Sequence, residues 1–115
     1  MAMVRCVTEM GMGADVHGLD YTNAAKRAVF DAIHHSSSGF PRLVGKTADD
    51  MRVEVTIGVP KPEAVDGQAV LETLPHRTGH HINVVHGGLQ VLNEEGNDGP
   101  LIASAIVIVS FDDGK

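Results

Sequence analysis

The chain predicts an α/β fold of the two-layer α+β kind, ordered β-α-β-α-β-β, with a four-stranded mixed sheet and two helices on one face. Three observations carry this. Met51 to Val59 alternates apolar and polar residues without a break. Tyr21 to His35 places Ala25, Ala28, Val29, Ala32 and Ile33 at helical spacing. Leu101 to Phe111 is a long run of β-branched and small residues, apolar on both faces. With 115 residues the chain has room for one core, so residues 1–115 are read as a single α/β domain.

Met3 to Glu9 reads as the first strand, with Val4, Cys6 and Thr8 on one face and Arg5, Val7 and Glu9 on the other. A glycine-rich loop, Gly11 to Asp20, is expected next. The helix then starts at Tyr21, with Asp20 or Thr22 available as its N-cap. Ser36 to Pro41 ends it, because a polar cluster, a glycine and a proline all oppose continuation. Phe40 to Asp50 is a connector without periodicity. The alternating strand follows, with Val53, Val55, Ile57 and Val59 on its buried face, and Pro60 and Pro62 stop it. Asp66 fits as the cap of a short helix before Pro75, buried through Val70, Leu71 and Leu74. His80 to Leu89 resumes a strand, interrupted by Gly87-Gly88. Asn93 to Pro100 is polar, acidic and glycine-rich, which predicts a mobile loop. The run from Leu101 predicts a central strand or one buried between subunits.

Composition excludes several classes of function. Fifteen acidic residues against nine basic give a net charge of −6, and the basic residues are scattered. Phosphate-backbone binding needs clustered Lys and Arg, so neither nucleic acid nor an anionic membrane surface is an expected partner. The single cysteine, Cys6, excludes an intrachain disulfide and reads as a small buried hydrophobe. Met1 to Met10 lacks the apolar core of a signal peptide, and no run approaches the roughly 20 apolar residues needed to cross a bilayer. The expected location is cytoplasmic. Aromatics are 3% of the chain, so Val, Ile, Leu, Ala and Met must fill the core.

Two constellations carry candidate chemistry. Asp15, His17 and Asp20 form a D-x-H-x-x-D array of two carboxylates and an imidazole, a donor set compatible with zinc or a harder divalent ion. The plainer account has Asp20 capping the helix, Asp15 making an Asx-turn and His17 bonding backbone, so metal binding is left open. The second is His86-Gly87-Gly88, an imidazole beside backbone N–H groups able to cradle an oxyanion. Its plainer account is a histidine before a bulge or tight turn. It gains force if Glu9, also at a strand end, lies next to His86 so that carboxylate and imidazole pair. His76, His80 and His81 read as a solvated cluster, and His34 and His35 suit the negative end of the helix dipole. There is no G-x-S-x-G elbow and no G-x-x-x-x-G-K-[ST]. Gly11-x-Gly13 is only a fragment of a dinucleotide fingerprint, so no cofactor is expected.

The block Glu9-Met10-Gly11-Met12-Gly13-Ala14-Asp15-Val16-His17-Gly18-Leu19-Asp20, continuing through Thr22, Ala24, Ala25, Arg27 and Ala28, resembles the Lin-type family of small hypothetical proteins from bacteria and plants. Ile57-Gly58-Val59-Pro60, Val65-Asp66, Val70-Leu71 and Gly87-Gly88 are also similar to that family, which brings no activity with it. A looser likeness is to one repeat of the cyanuric acid hydrolase and barbiturase family, whose three α/β repeats form a pseudo-trimer around a central site. The matching places here are His86-Gly87-Gly88, Glu9 and Asn23, so that family's serine, lysine and arginine would all be replaced.

The resemblance implies a homotrimer, and the apolar last strand independently predicts a homo-oligomer. The reading is of a small-molecule pocket near subunit interfaces. Gly11, Gly13, Asp15, His17, Asn23, Gly87 and Gly88 would bind a small polar ligand, with His86 as acid/base and Glu9 as its orienting carboxylate. Whether the chain is an enzyme stays open. If it is one, hydrolase-like or acid/base chemistry suits these residues; the alternative is a non-catalytic metabolite- or metal-binding module.

Overall fold

The computed structural model describes residues 3–34, 51–74 and 80–112. In chain order these form β1 (Met3–Asp15), α1 (Tyr21–His34), β2 (Met51–Val59), a 3-10 turn (Pro62–Ala64), α2 (Gly67–Leu71), β3 (His80–His86), β4 (Leu89–Gln90) and β5 (Leu101–Asp112). The sheet order is β1-β5-β2-β3, with β4 joined to β5. β5 runs antiparallel to β1, β2 and β4, whereas β3 is parallel to β2. A parallel neighbour requires a crossover, which the segment carrying the 3-10 turn and α2 supplies. The expected α+β architecture with helices on one face is present. The expectations for residues 35–50 and 75–79, including His35, His76, the helix stop and the connector, lie outside the described residues.

The core follows from the alternation. Val53, Val55, Ile57 and Val59 of β2, and Leu101 through Val109 at every second position of β5, are buried under Ala24, Ala25, Ala28, Val29 and Ala32 of α1. Each such Val, Ile or Leu contributes about 1.5–3 kcal/mol on leaving water. β5 is central, flanked by β1 and β2; its second apolar face, carrying Ile102, Ile106 and Ile108, is turned away from the helices, and Ile106 is 43% exposed.

β1 does not end near Glu9. It continues through Gly11 and Gly13 to Asp15, pairing Gly11 with Ala105, Gly13 with Ala103 and Asp15 with Leu101. Glycine disfavours strands only weakly, and here the ladder with β5 and the helix above override that preference. A Cβ on Gly11 would overlap the backbone of Ala28 and Ala32, and one on Gly13 the backbone of Ala24 and Ala28. These glycines serve close approach of α1 to the sheet. The pairing register of β1 shifts between Arg5 and Val7, leaving Cys6 without a Cα partner and breaking the simple alternation expected there. The side chain of Cys6 lies outside those described.

The sheet has five strands where the sequence predicts four. β2 leaves the sheet at Pro60 while β5 runs on, and Leu89–Gln90 take up the vacated pairing against Ile102 and Leu101. β4 therefore extends the line of β2, and Gly87-Gly88 make the sideways step from the line of β3. The step is tight. Gly87 packs on Gly58, and Gly88 has φ +69° with its Cα against the carbonyl of Ile102, where a Cβ would overlap that oxygen.

Candidate functional site

Asp15 ends β1 and is only 7% exposed. Its carboxylate accepts the Asp20 N–H at 3.0 Å and the Asn23 Nδ2 at 3.4 Å, and the Arg27 guanidinium stands 3.8 Å away. Asp20 in turn caps α1, its Oδ1 accepting the Asn23 N–H at 2.9 Å. Thr22 accepts the N–H of Asp66 at 2.8 Å, and Asp66 caps α2 by accepting the Ala69 N–H at 3.1 Å. On the other side, Gln90 donates to the hydroxyl of buried Tyr21 at 2.6 Å, tying β4 to the first turn of α1. Asp15, Asp20 and Asn23 thus come together as the polar joint that fixes the start of α1. Asp15 makes a longer-range bond than the Asx-turn expected of it.

The D-x-H-x-x-D array is taken apart by this joint, because Asp15 turns inward to the helix while His17 points out. Among the described residues no group of three or more His, Cys, Asp or Glu is placed to hold a metal ion.

His17 finds a different partner. Its Nδ1 lies 3.5 Å from Oδ2 of Asp98, and the imidazole is 85% exposed. Asp98 belongs to the β4–β5 hairpin, whose ladder continues through Val91 N–H to Pro100 C=O at 3.1 Å and Asn93 N–H to Asp98 C=O at 2.7 Å. The tip expected to be a mobile loop is tied further by Gly96 N–H to Asn93 C=O at 3.0 Å and by Asn97 N–H to Asn93 Oδ1 at 3.2 Å. Oδ1 of Asp98 accepts two backbone N–H groups, from Gly18 and Gly99, both at 2.8 Å. Those bonds, Gly18 first, hold its carboxyl below the ordinary value of 3.8, and His17 adds to the effect. Between this hairpin and the β1–α1 connection lies an open cleft of about 360 Å³. Val16, Val91, Leu92 and Pro100 form its apolar wall, and His17 and Asp98 supply polar groups.

Glu9 and His86 do not meet within one chain. Glu9 is level with Val107, Val55 and Ile82 across the sheet, and His86 lies four residues beyond Ile82 on the far edge strand. Three strand spacings of about 4.8 Å and four residues of about 3.3 Å put them on the order of 20 Å apart. The Gly87 N–H that was to hold an oxyanion donates instead to the Val59 carbonyl at 2.9 Å, continuing the parallel ladder. Gly11 and Gly13 face α1 rather than a ligand.

Asp98 and Arg27 are the site residues that sequence reasoning missed in these roles. Arg27 donates to the Ala14 carbonyl at 2.6 Å as well as facing Asp15. Asp31, one turn on, accepts the Met12 N–H at 2.9 Å. Both side chains therefore lie along the outer edge of β1. Their spacing of four on α1 is visible in the sequence; the partnership of His17 with a residue 81 positions away leaves no local signal. No helix among the described residues is long and apolar enough to cross a membrane.

Residues 5–109 match the model of a family described as conserved hypothetical protein, Lin0512. A crystal structure of an FtsZ-like protein of unknown function from Nostoc punctiforme is similar to this chain, at 37% identity and a TM-score of 0.79, covering 98% of this chain and 99% of the other. No curated protein matches. The likeness to a cyanuric acid hydrolase repeat finds no support in these matches.

Proposed function

The chain belongs to the Lin0512 family of conserved hypothetical proteins, and for it we propose a homo-oligomeric protein that binds a small polar molecule in the cleft between the β1–α1 connection and the β4–β5 hairpin. The observation that carries this reading is the His17–Asp98 pair beside an apolar-walled cleft. Asp98 is anchored by two N–H groups and stays ionised, so it orients the imidazole through Nδ1 and leaves Nε2 facing solvent for a ligand. In a hydrolytic or proton-transfer reaction His17 takes the acid/base role expected of His86, and Asp98 the orienting role expected of Glu9. The apolar wall sets the ligand's body, and the imidazole its polar end.

Non-catalytic binding by the same cleft is the second reading, favoured by the 85% exposure of His17, since proton transfer profits from a site that excludes water. A thermal-shift screen of small carboxylates and cyclic amides tests both. A ligand that raises the Tm of the wild type and not of Leu92→Asp supports the cleft. Turnover of that ligand, abolished in His17→Ala, separates the enzyme from the binding module. Equal stabilisation of both proteins by every hit would sink the cleft as the site.

A further inference from the structure

The face of the sheet opposite α1 and α2 carries rows of side chains set by the pairing register. One row crosses all four main strands as Met10, Ile106, Thr56 and Asn83, and the next begins Met12, Ser104. Met10 is 65% exposed, Met12 64% and Ile106 43%, so large apolar groups stand in solvent from the β1 edge of the sheet to its central strand. Charge on this face, among the described residues, lies at its β1 edge, where Asp31 borders Met10, Met12 and Ile106 and accepts the Met12 N–H, and at its far end. At the far end Arg52 and Glu54 pair with each other at 2.9 Å, and His81 lies alongside Glu54. A chain of net charge −6 thus keeps one broad surface free of unpaired carboxylates.

We propose that this face is the interface between copies of this chain, which pack sheet face against sheet face and not through the outer edge of β1. The inference rests on the oligomeric half of the reading above and is independent of the His17 cleft. Acidic copies repel one another except through a neutral surface, and this face is such a surface. A lipid surface or nucleic acid would require cations, and the central rows hold none. A strand added at the outer edge of β1 would have to displace Asp31 from the Met12 N–H and Arg27 from the Ala14 carbonyl, groups that close that edge already. The Arg52–Glu54 pair can re-form across a symmetric contact, giving the rim a polar register at no cost in net charge.

The test is native mass spectrometry and light scattering on the full chain, comparing the wild type with Ile106→Glu and with Phe30→Glu, whose side chain is exposed on α1 away from the face. The expected result is an assembled wild type, an assembled Phe30→Glu, and an Ile106→Glu protein that is folded by circular dichroism and monomeric. Its self-association should weaken by about a hundredfold or more, because a buried unpaired carboxylate is strongly unfavourable. If Ile106→Glu does not fold, Met10→Lys at the more exposed edge position puts the same question with the same expected outcome. An assembled wild type whose Ile106→Glu and Met10→Lys variants stay assembled overturns the choice of surface while leaving the oligomer standing. A wild type that is monomeric at all concentrations overturns both.

Discussion

Asp98 accepts the N–H of Gly18 at 2.8 Å, joining the tip of the last hairpin to the connection between the first strand and the first helix, 80 residues earlier in the chain. The second N–H on the same oxygen comes from Gly99, so one carboxylate sets the geometry of the cleft on both sides. Asp98→Ala is expected to free the Gly18 amide, raising its hydrogen-exchange rate and lowering the Tm, while the amides of β2 keep their protection. Unchanged exchange at Gly18 would contradict the clasp.

The same carboxyl predicts a pH dependence with a definite sign. Its folded pKa lies below the ordinary 3.8, so the unfolded chain takes up the proton first as acid is added. The clasp's contribution is fully present above 3.8 and is lost as pH falls through the lower, folded value. An NMR titration of the Gly18 amide should therefore show its midpoint below 3.8. A midpoint at or above that value counts against the bond.

Gly13→Ala should destabilise the protein by about 3 kcal/mol, because the added methyl overlaps the backbone of Ala24 and Ala28 and α1 must lift from the sheet. Urea unfolding monitored by circular dichroism gives the number. Gly18→Ala offers the contrast: nothing stands near its Cβ, and only the strain of φ +96° opposes it.

Asp20→Ala removes a helix cap and should cost about 1 kcal/mol. Asp15→Ala removes a buried carboxylate and leaves the Asp20 N–H of a part-buried joint without its acceptor, and should cost about 1–3 kcal/mol. Zinc added to the wild type should leave its Tm unchanged, since the oxygens of Asp15 already serve the chain's own donors. Zinc stabilisation lost in Asp15→Ala would restore the metal reading.

For any ligand found by thermal shift, His17→Ala should weaken binding and His86→Ala should not, because His86 lies at the end of an edge strand outside the cleft lining. Isothermal titration of the two variants decides. A reversed order would return the chemistry to the Gly87-Gly88 end of the sheet.

Much of the fold was legible because it is local. The alternation in β2 gave its bounds, and the spacing of Ala25, Ala28, Val29 and Ala32 gave α1 and its buried side. Asp20 and Asp66 were readable as caps because a capping bond spans three residues. What failed was long-range. Gly11 and Gly13 look like a loop until β5 supplies a ladder and α1 a surface against them, and Leu89 looks like the end of the strand from His80 until β2 vacates a place beside β5. The candidate site failed for the same reason. His17 stands out in the sequence, but its partner Asp98 sits in an acidic, glycine-rich stretch where neighbouring Glu94, Glu95 and Asn97 look equally eligible. Only the hairpin ladder decides which carboxylate reaches across.

The position of β5 between β1 and β2 also bears on how the chain folds. Until residues 101–112 are available, β1 has no neighbour, β2 has only β3, and the apolar side of α1 has nothing continuous to settle on. Formation of the sheet therefore waits on contacts of the greatest sequence separation among the described residues, with Met3 ending beside Asp112. Such a protein should fold in one cooperative step, and until β5 is in place β1 and β2 stay open to pairing with strands of other copies.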